Sequence, residues 1–132
     1  MPEILVLKLT TYPGTVKPRD YSSRTENGWK EGLTDERIAE LNRWGWSLNT
    51  ERARACSHVL FVYGDIVRAV AKITGIFGPY DADEGEGHEV KLVKKKAVEV
   101  KVLGPGKKTY KKWHGKPVPQ ASSGRAVRYI PA

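Results

Sequence analysis

Two tryptophans with one glycine between them, Trp44-Gly45-Trp46, stand beside Arg43 and shortly before Arg52 and Arg54. Aromatic faces stack on unpaired nucleobases at ~1–3 kcal/mol per base, and cationic neighbours suit the phosphates that accompany them. In extended geometry residues 44 and 46 point to the same side and form one wall of a slot, and Gly45 lets a planar ligand approach the backbone. The competing reading is that the indoles fill a core, since Trp is a large apolar payload. A second cluster is Lys107-Lys108-Thr109-Tyr110-Lys111-Lys112-Trp113. At helical spacing Lys108, Lys111 and Lys112 share one face, while Tyr110 and Trp113 share another. That pattern suits a helix that tracks phosphates and is anchored by its aromatics. Lys94, Lys95 and Lys96 complete the cationic set, and all seven lysines are expected to form one contiguous positive surface that, with Arg43, Arg52 and Arg54, holds phosphates.

Enzyme signatures are mostly missing. The glycines Gly14, Gly28 and Gly32 are scattered, and no GxxxxGK[ST] loop occurs. His58, His88 and His114 are far apart, so no metal site is expected, and His58 inside an apolar strand reads as a hydrogen-bonded core histidine. Cys56 is the one cysteine, which excludes an internal disulfide and a cysteine zinc site, and it reads as an inert, half-buried thiol. No catalytic residue, metal or cofactor is assigned.

The charge balance points in the same direction. Of a net +8 over 132 residues, residues 1–66 contribute nothing, with nine Lys or Arg against nine Asp or Glu. Within the second half, residues 91–116 carry ten lysines and a single acid, Glu99. A one-sided positive field favours polyanions, most often nucleic acid or an anionic membrane surface, and the competing reading is a solvated, solubilising face. Apolar residues make up 39% and charged residues 29%, which suits one domain over 1–132 that folds without staples. No apolar run reaches the ~20 residues of a membrane span, and the charged, Pro-containing start is no signal peptide, so a soluble, cytoplasmic protein without a membrane partner is expected.

The elements that must position these residues follow from periodicity. Glu3 to Leu9 reads as a buried opening strand and residues 13–33 as a long polar loop. Thr34 caps a helix with Asp35 and Glu36 in its first turn, and Asn49 or Thr50 caps a short second helix through Ala55. Ser57–Tyr63 and the strand from Ile66 form a hairpin about Gly64-Asp65, with Val67, Ala69, Ala71 and Ile73 on one face and Arg68 and Lys72 on the other. Residues 79–89, with Asp81, Asp83, Glu84, Glu86 and Glu89, read as an acidic mobile loop. Val90 to Leu103 is extended but interrupted at Lys94–Lys96, as two strands or one strand bent at a bulge. Lys107–His114 is a short helix, Pro117-Val118-Pro119 is extended, and Arg125–Ile130 closes the chain as a strand. The expected fold is α+β: a small curved, mostly antiparallel sheet or pseudo-barrel of five to seven strands with two or three short peripheral helices.

Arg43-Trp44, the stretch Arg52–Ala55, and Ser57-His58-Val59-Leu60-Phe61-Val62-Tyr63-Gly64-Asp65-Ile66-Val67-Arg68-Ala69-Val70 together resemble a PUA-like domain. The nearest likeness is to the small EVE/ASCH-like modules associated with bacterial restriction and nuclease proteins. Val98–Leu103, Gly115-Lys116-Pro117-Val118-Pro119 and Arg125–Ile130 continue it, so that it covers about residues 42–130. The resemblance implies a pseudo-barrel whose mouth takes a nucleotide, often a flipped or modified base, lined here by Trp44, Trp46, Ser47 and Ser57. It further implies that any cleavage belongs to a separate nuclease partner. The lysine-rich 91–116 region and the 13–33 loop depart from the pattern. The function so expected is a non-catalytic DNA- or RNA-binding module. Two alternatives stand beside it: an ASCH-type hydrolase of a small modified nucleoside, drawing on Lys72, Glu99 and Thr74, or a basic protein–protein interaction module.

Overall fold

The structure is a computed structural model that describes residues 2–15, 26–83, 85, 88–118 and 125–132. Its elements run β1 (Glu3–Lys8), β2 (Gly14–Thr15), β3 (Glu26–Asn27), α1 (Asp35–Asn42), α2 (Thr50–Ala55), β4 (His58–Tyr63), β5 (Ile66–Asp83), β6 (Leu92–Val102), α3 (Lys108–Trp113) and β7 (Val127–Pro131). Five strands form one sheet in the order β6-β5-β4-β1-β7, curled into a half-barrel. All pairings in it are antiparallel except β1 with β4, where Leu5 faces Val59. The architecture is α+β, as the residue pattern predicts.

Local chemistry sets most of the boundaries. Thr34 Oγ1 accepts from the Arg37 N–H at 3.2 Å and opens α1, and Asn49 Oδ1 accepts from Arg52 N–H at 3.0 Å and opens α2. Gly64 and Asp65 both have positive φ, 58° and 65°, as a two-residue hairpin turn with the twist of its strands requires. The run Ile4–Leu7 is fully buried because β1 is a central strand covered on both faces. Leu5, Leu7, Val59, Phe61, Ala69 and Ala71 pack on one face with α1 and α2, through Ile38, Ala39 and Ala53. Ile4, Val6, Leu60, Val62, Val67 and Val70 pack on the other with Trp113 of α3 and with Val118.

Four expectations are corrected. Val67 does not share a face with Ala69 and Ala71. The register slips between Phe61 and Val62, leaving Arg68 as an extra residue, and this bulge inverts the alternation. The 79–89 stretch is not a loop from its start: β5 runs to Asp83, with Tyr80 and Ala82 buried. Residues 92–102 form one strand, and the faults in the pairing lie on β5, between Ile73 and Gly75 and between Phe77 and Tyr80. Within 13–33, β2 pairs with β3, Thr11 bridges Trp29, and Trp29 stacks on Tyr63 at 4.9 Å. The rest of that expected loop, 16–25, lies outside the described residues, as do Glu84, Glu86 and Pro119.

Buried Asn42 ties this region to α1. Its Nδ2 donates to the carbonyls of Gly28 and Ile38, both at 2.9 Å, and its Oδ1 accepts from Gly28 N–H at 2.8 Å. The carboxamide thus replaces a missing strand partner for Gly28.

Candidate nucleic-acid interface

The chain leaving α1 turns back along the outer edge of β6. Val98 N–H donates to Arg43 O at 2.9 Å, and Trp46 exchanges two backbone bonds with Lys96, at 3.0 and 2.8 Å. Gly45 makes this possible with φ of 81°, a left-handed conformation that a side chain would resist. Its N–H donates to the Tyr80 hydroxyl at 2.7 Å. The segment is therefore not extended through 44–46, and the two indoles do not lie side by side as an extended chain would place them.

Their surroundings differ. Trp44 meets Phe77 and Tyr80 edge-on, with centroids at 5.8 and 5.9 Å, and the Arg43 guanidinium covers its ring at 4.2 Å. Trp46 packs on the main core, and its Nε1–H donates to Asn42 O at 2.6 Å. Both nevertheless border one cleft of about 210 Å³, whose other wall is Lys8, Leu9 and Thr10 from the end of β1, with Ala126, Asn27 and Asn42. The cleft lies between the end of β1 and the segment after α1 that runs along β6. Its size is below the ~300 Å³ at which drug-sized pockets begin, which suits one planar ring system rather than a whole nucleotide.

Trp46 also borders a wider, more open cleft of about 470 Å³ with Ser47, Leu48, Pro79, Lys94 and Lys96. Lys96 Nζ donates to Leu48 O at 2.6 Å, and Lys95 Nζ donates to Ser47 Oγ at 3.1 Å. Lys94 pairs with Asp81 at 2.5 Å, with both side chains more than half exposed. Such a pair exchanges readily for another anion.

The fold thus brings together Arg43, Trp44, Trp46, Ser47, Lys94, Lys95 and Lys96. It does not bring in the other expected residues. Arg52 sits at the opposite end of β1, roughly 17 Å along the strand from Lys8. There it pairs with Glu3 through two bonds, at 2.9 and 2.8 Å, and covers the Tyr129 ring at 4.1 Å. Arg54 is exposed in the same helix. Ser57 lines neither cleft, and its hydroxyl is 2.8 Å from Nδ1 of His58. Lys107, Lys108, Lys111 and Lys112 sit on or next to α3, beyond the far end of β6, so the lysines make two patches rather than one surface.

Lys8, Thr10 and Asn27 are among the lining residues that the sequence pattern does not mark. Only the curl of the sheet carries them to Trp46, and no local pattern marks them. Of the hydrolase candidates, Lys72 stands opposite Lys101, Glu99 stands opposite Gly75, Thr74 is the residue skipped by the register, and none of the three borders either cleft.

Burial raises the Cys56 thiol above its ordinary value, consistent with an inert side chain. His58 is half-buried and hydrogen-bonded, with its ring held below the ordinary value by burial and then by Lys72. Among the described residues no three His, Cys, Asp or Glu side chains are grouped as a metal site, and no helix is long and apolar enough to cross a membrane. No family model matches the chain, and no curated protein or solved structure matches it either.

Proposed function

We propose that this protein is a nucleic-acid-binding module of the PUA-like type, which seats one unstacked base beside Trp46 and holds the adjoining backbone with the lysines around it. The observation that carries the reading is the position of Trp46. Trp46 lines both a narrow cleft and a wider one edged by Lys94 and Lys96. A base can enter the narrow side while its phosphates lie along the cationic side. Arg43 already occupies the Trp44 face, so Trp46 is the stacking surface and Trp44 the support that fixes the turn. Thr10 and Asn27 supply the polar groups that can meet a base edge.

Titration with single-stranded DNA and RNA oligonucleotides, followed by tryptophan fluorescence at several salt concentrations, tests this. Quenching that saturates, with affinity falling linearly in log–log form against salt, is the expected result. Absence of binding to both polymers at low salt would refute it.

A further inference from the structure

On the face opposite the Trp46 clefts, a row of polar side chains crosses three strands. His58 of β4 stands directly opposite Lys72 of β5, and Lys72 stands directly opposite Lys101 of β6. The flanking residues fix the direction of the row. Leu60, Val70 and Leu103 belong to the second core layer, so His58, Lys72 and Lys101, two positions along their strands, point to that same side. Thr109 of α3 closes the row, with Oγ1 at 3.5 Å from His58 Nε2, and Ser57 Oγ meets Nδ1 at 2.8 Å.

Like charges directly opposite each other destabilise a sheet. Yet the two lysines stand at directly opposed positions here, both exposed, and among the described residues neither has a carboxylate within ion-pair distance. Glu99, the next acid on this face of β6, lies over Gly75, its Oε1 3.3 Å from where a Cβ on that glycine would sit. Lys107 and Lys108, immediately before Thr109, add to the positive field. The arrangement is repulsive when empty and balanced when an anion lies between the two side chains.

We infer that Lys72, Lys101, His58 and Thr109 form a second anion site, for a phosphate-type oxyanion, separate from the Trp46 clefts. The two lysines supply the charge, and the imidazole and the threonine hydroxyl supply directional hydrogen bonds. At 3.5 Å from Thr109 Oγ1 the Nε2 edge of the ring is only loosely held and can turn to an anion, and a bound dianion would draw a proton onto the ring. Inorganic phosphate and the phosphodiester of a nucleic-acid strand share the required chemistry.

The test is an NMR titration of the His58 ring in phosphate-free buffer, first with inorganic phosphate and then with a single-stranded oligonucleotide lacking terminal phosphates. Saturable movement of the His58 signals and a rise in its pKa are expected with at least one of them. Lys101→Gln should weaken that binding roughly tenfold or more. The same variant should melt no lower than the parent without phosphate, because it removes a repulsion. Lys72→Gln is the second variant and should behave alike. Response to phosphate assigns the site to small anions, and response to the oligonucleotide alone assigns it to a strand. No movement with either probe, or unchanged movement in both variants, overturns the proposal.

Discussion

Replacing Trp46 separates stacking from packing. Truncating a core tryptophan costs ~3–5 kcal/mol of stability. Trp46 is partly exposed along two clefts, so Trp46→Ala should cost about 2–3 kcal/mol, or roughly 10 °C in melting temperature at this chain length. Loss of the stacking face removes a further ~1–3 kcal/mol from binding, a ten- to hundredfold drop in oligonucleotide affinity. Trp46→Phe keeps an aromatic face but loses the Nε1–H donor, which lies 2.6 Å from Asn42 O. That should cost about 1 kcal/mol of stability and leave affinity within about threefold. Trp44→Ala should do the reverse of Trp46→Ala, lowering stability through its contacts with Phe77 and Tyr80 while sparing affinity. Fluorescence anisotropy with a labelled oligonucleotide, at a temperature where every variant is folded, reads the affinities, and thermal melts read stability. The reasoning fails if Trp46→Phe loses as much affinity as Trp46→Ala, or if Trp44→Ala loses more than either.

Changing Lys94, Lys95 and Lys96 together to Ala should weaken oligonucleotide binding equally across sequences and make the log–log salt slope shallower by up to ~2. The same change at Lys107, Lys108, Lys111 and Lys112 should leave Trp46 quenching in place, and equal effects from both sets would contradict the two-patch arrangement. Asn42→Ala strands a buried N–H and carbonyl of Gly28 and should cost about 3 kcal/mol, measurable by denaturant unfolding. Two groups give pH dependence of opposite sign. The His58 ring sits below its ordinary 6.5, so its contribution is present above that value and is lost as pH falls through the lowered pKa; His58→Gln should remove this part of the stability profile. Burial raises the Asp35 carboxyl above 3.8 despite His114 at 3.0 Å, so its contribution is greatest in acid and is lost as pH rises through the raised pKa; Asp35→Asn should flatten that region.

Features fixed by neighbours in the chain were legible in the sequence. The caps at Thr34 and Asn49, the Gly64-Asp65 turn, and the amphipathic split of α3 each depend on residues within four or five positions. Features set by the curl of the sheet were not legible. The bulge at Arg68 moves Val67 to the other face, and nothing in a Val-Arg-Ala-Val run marks which residue will be the extra one. Gly45 reads from the sequence as a close-approach glycine, but its left-handed turn goes with the pairing of Trp46 with Lys96, fifty positions downstream. The same pairing places Lys94 and Lys96 beside Trp46, whereas Ser57 and Arg52, nearer to it in sequence, lie elsewhere.

The place of β1 bears on how the chain acquires this structure. It lies inside the sheet between β4 and β7, yet Leu5 must find Val59 and Glu3 must find Pro131, whereas Val62 finds Val67 across one turn. Closing the longer loop to Val59 costs about 2 kcal/mol more in chain entropy than closing the hairpin. The expected order is therefore that the hairpin and β6 assemble first and β1 adds later to the open edge of β4, bringing β7 with it. Until it does, the apolar edge of Val59–Val62 stands open and can pair with the same edge of another chain. Refolding yield should accordingly fall as protein concentration rises, even where the finished fold is stable.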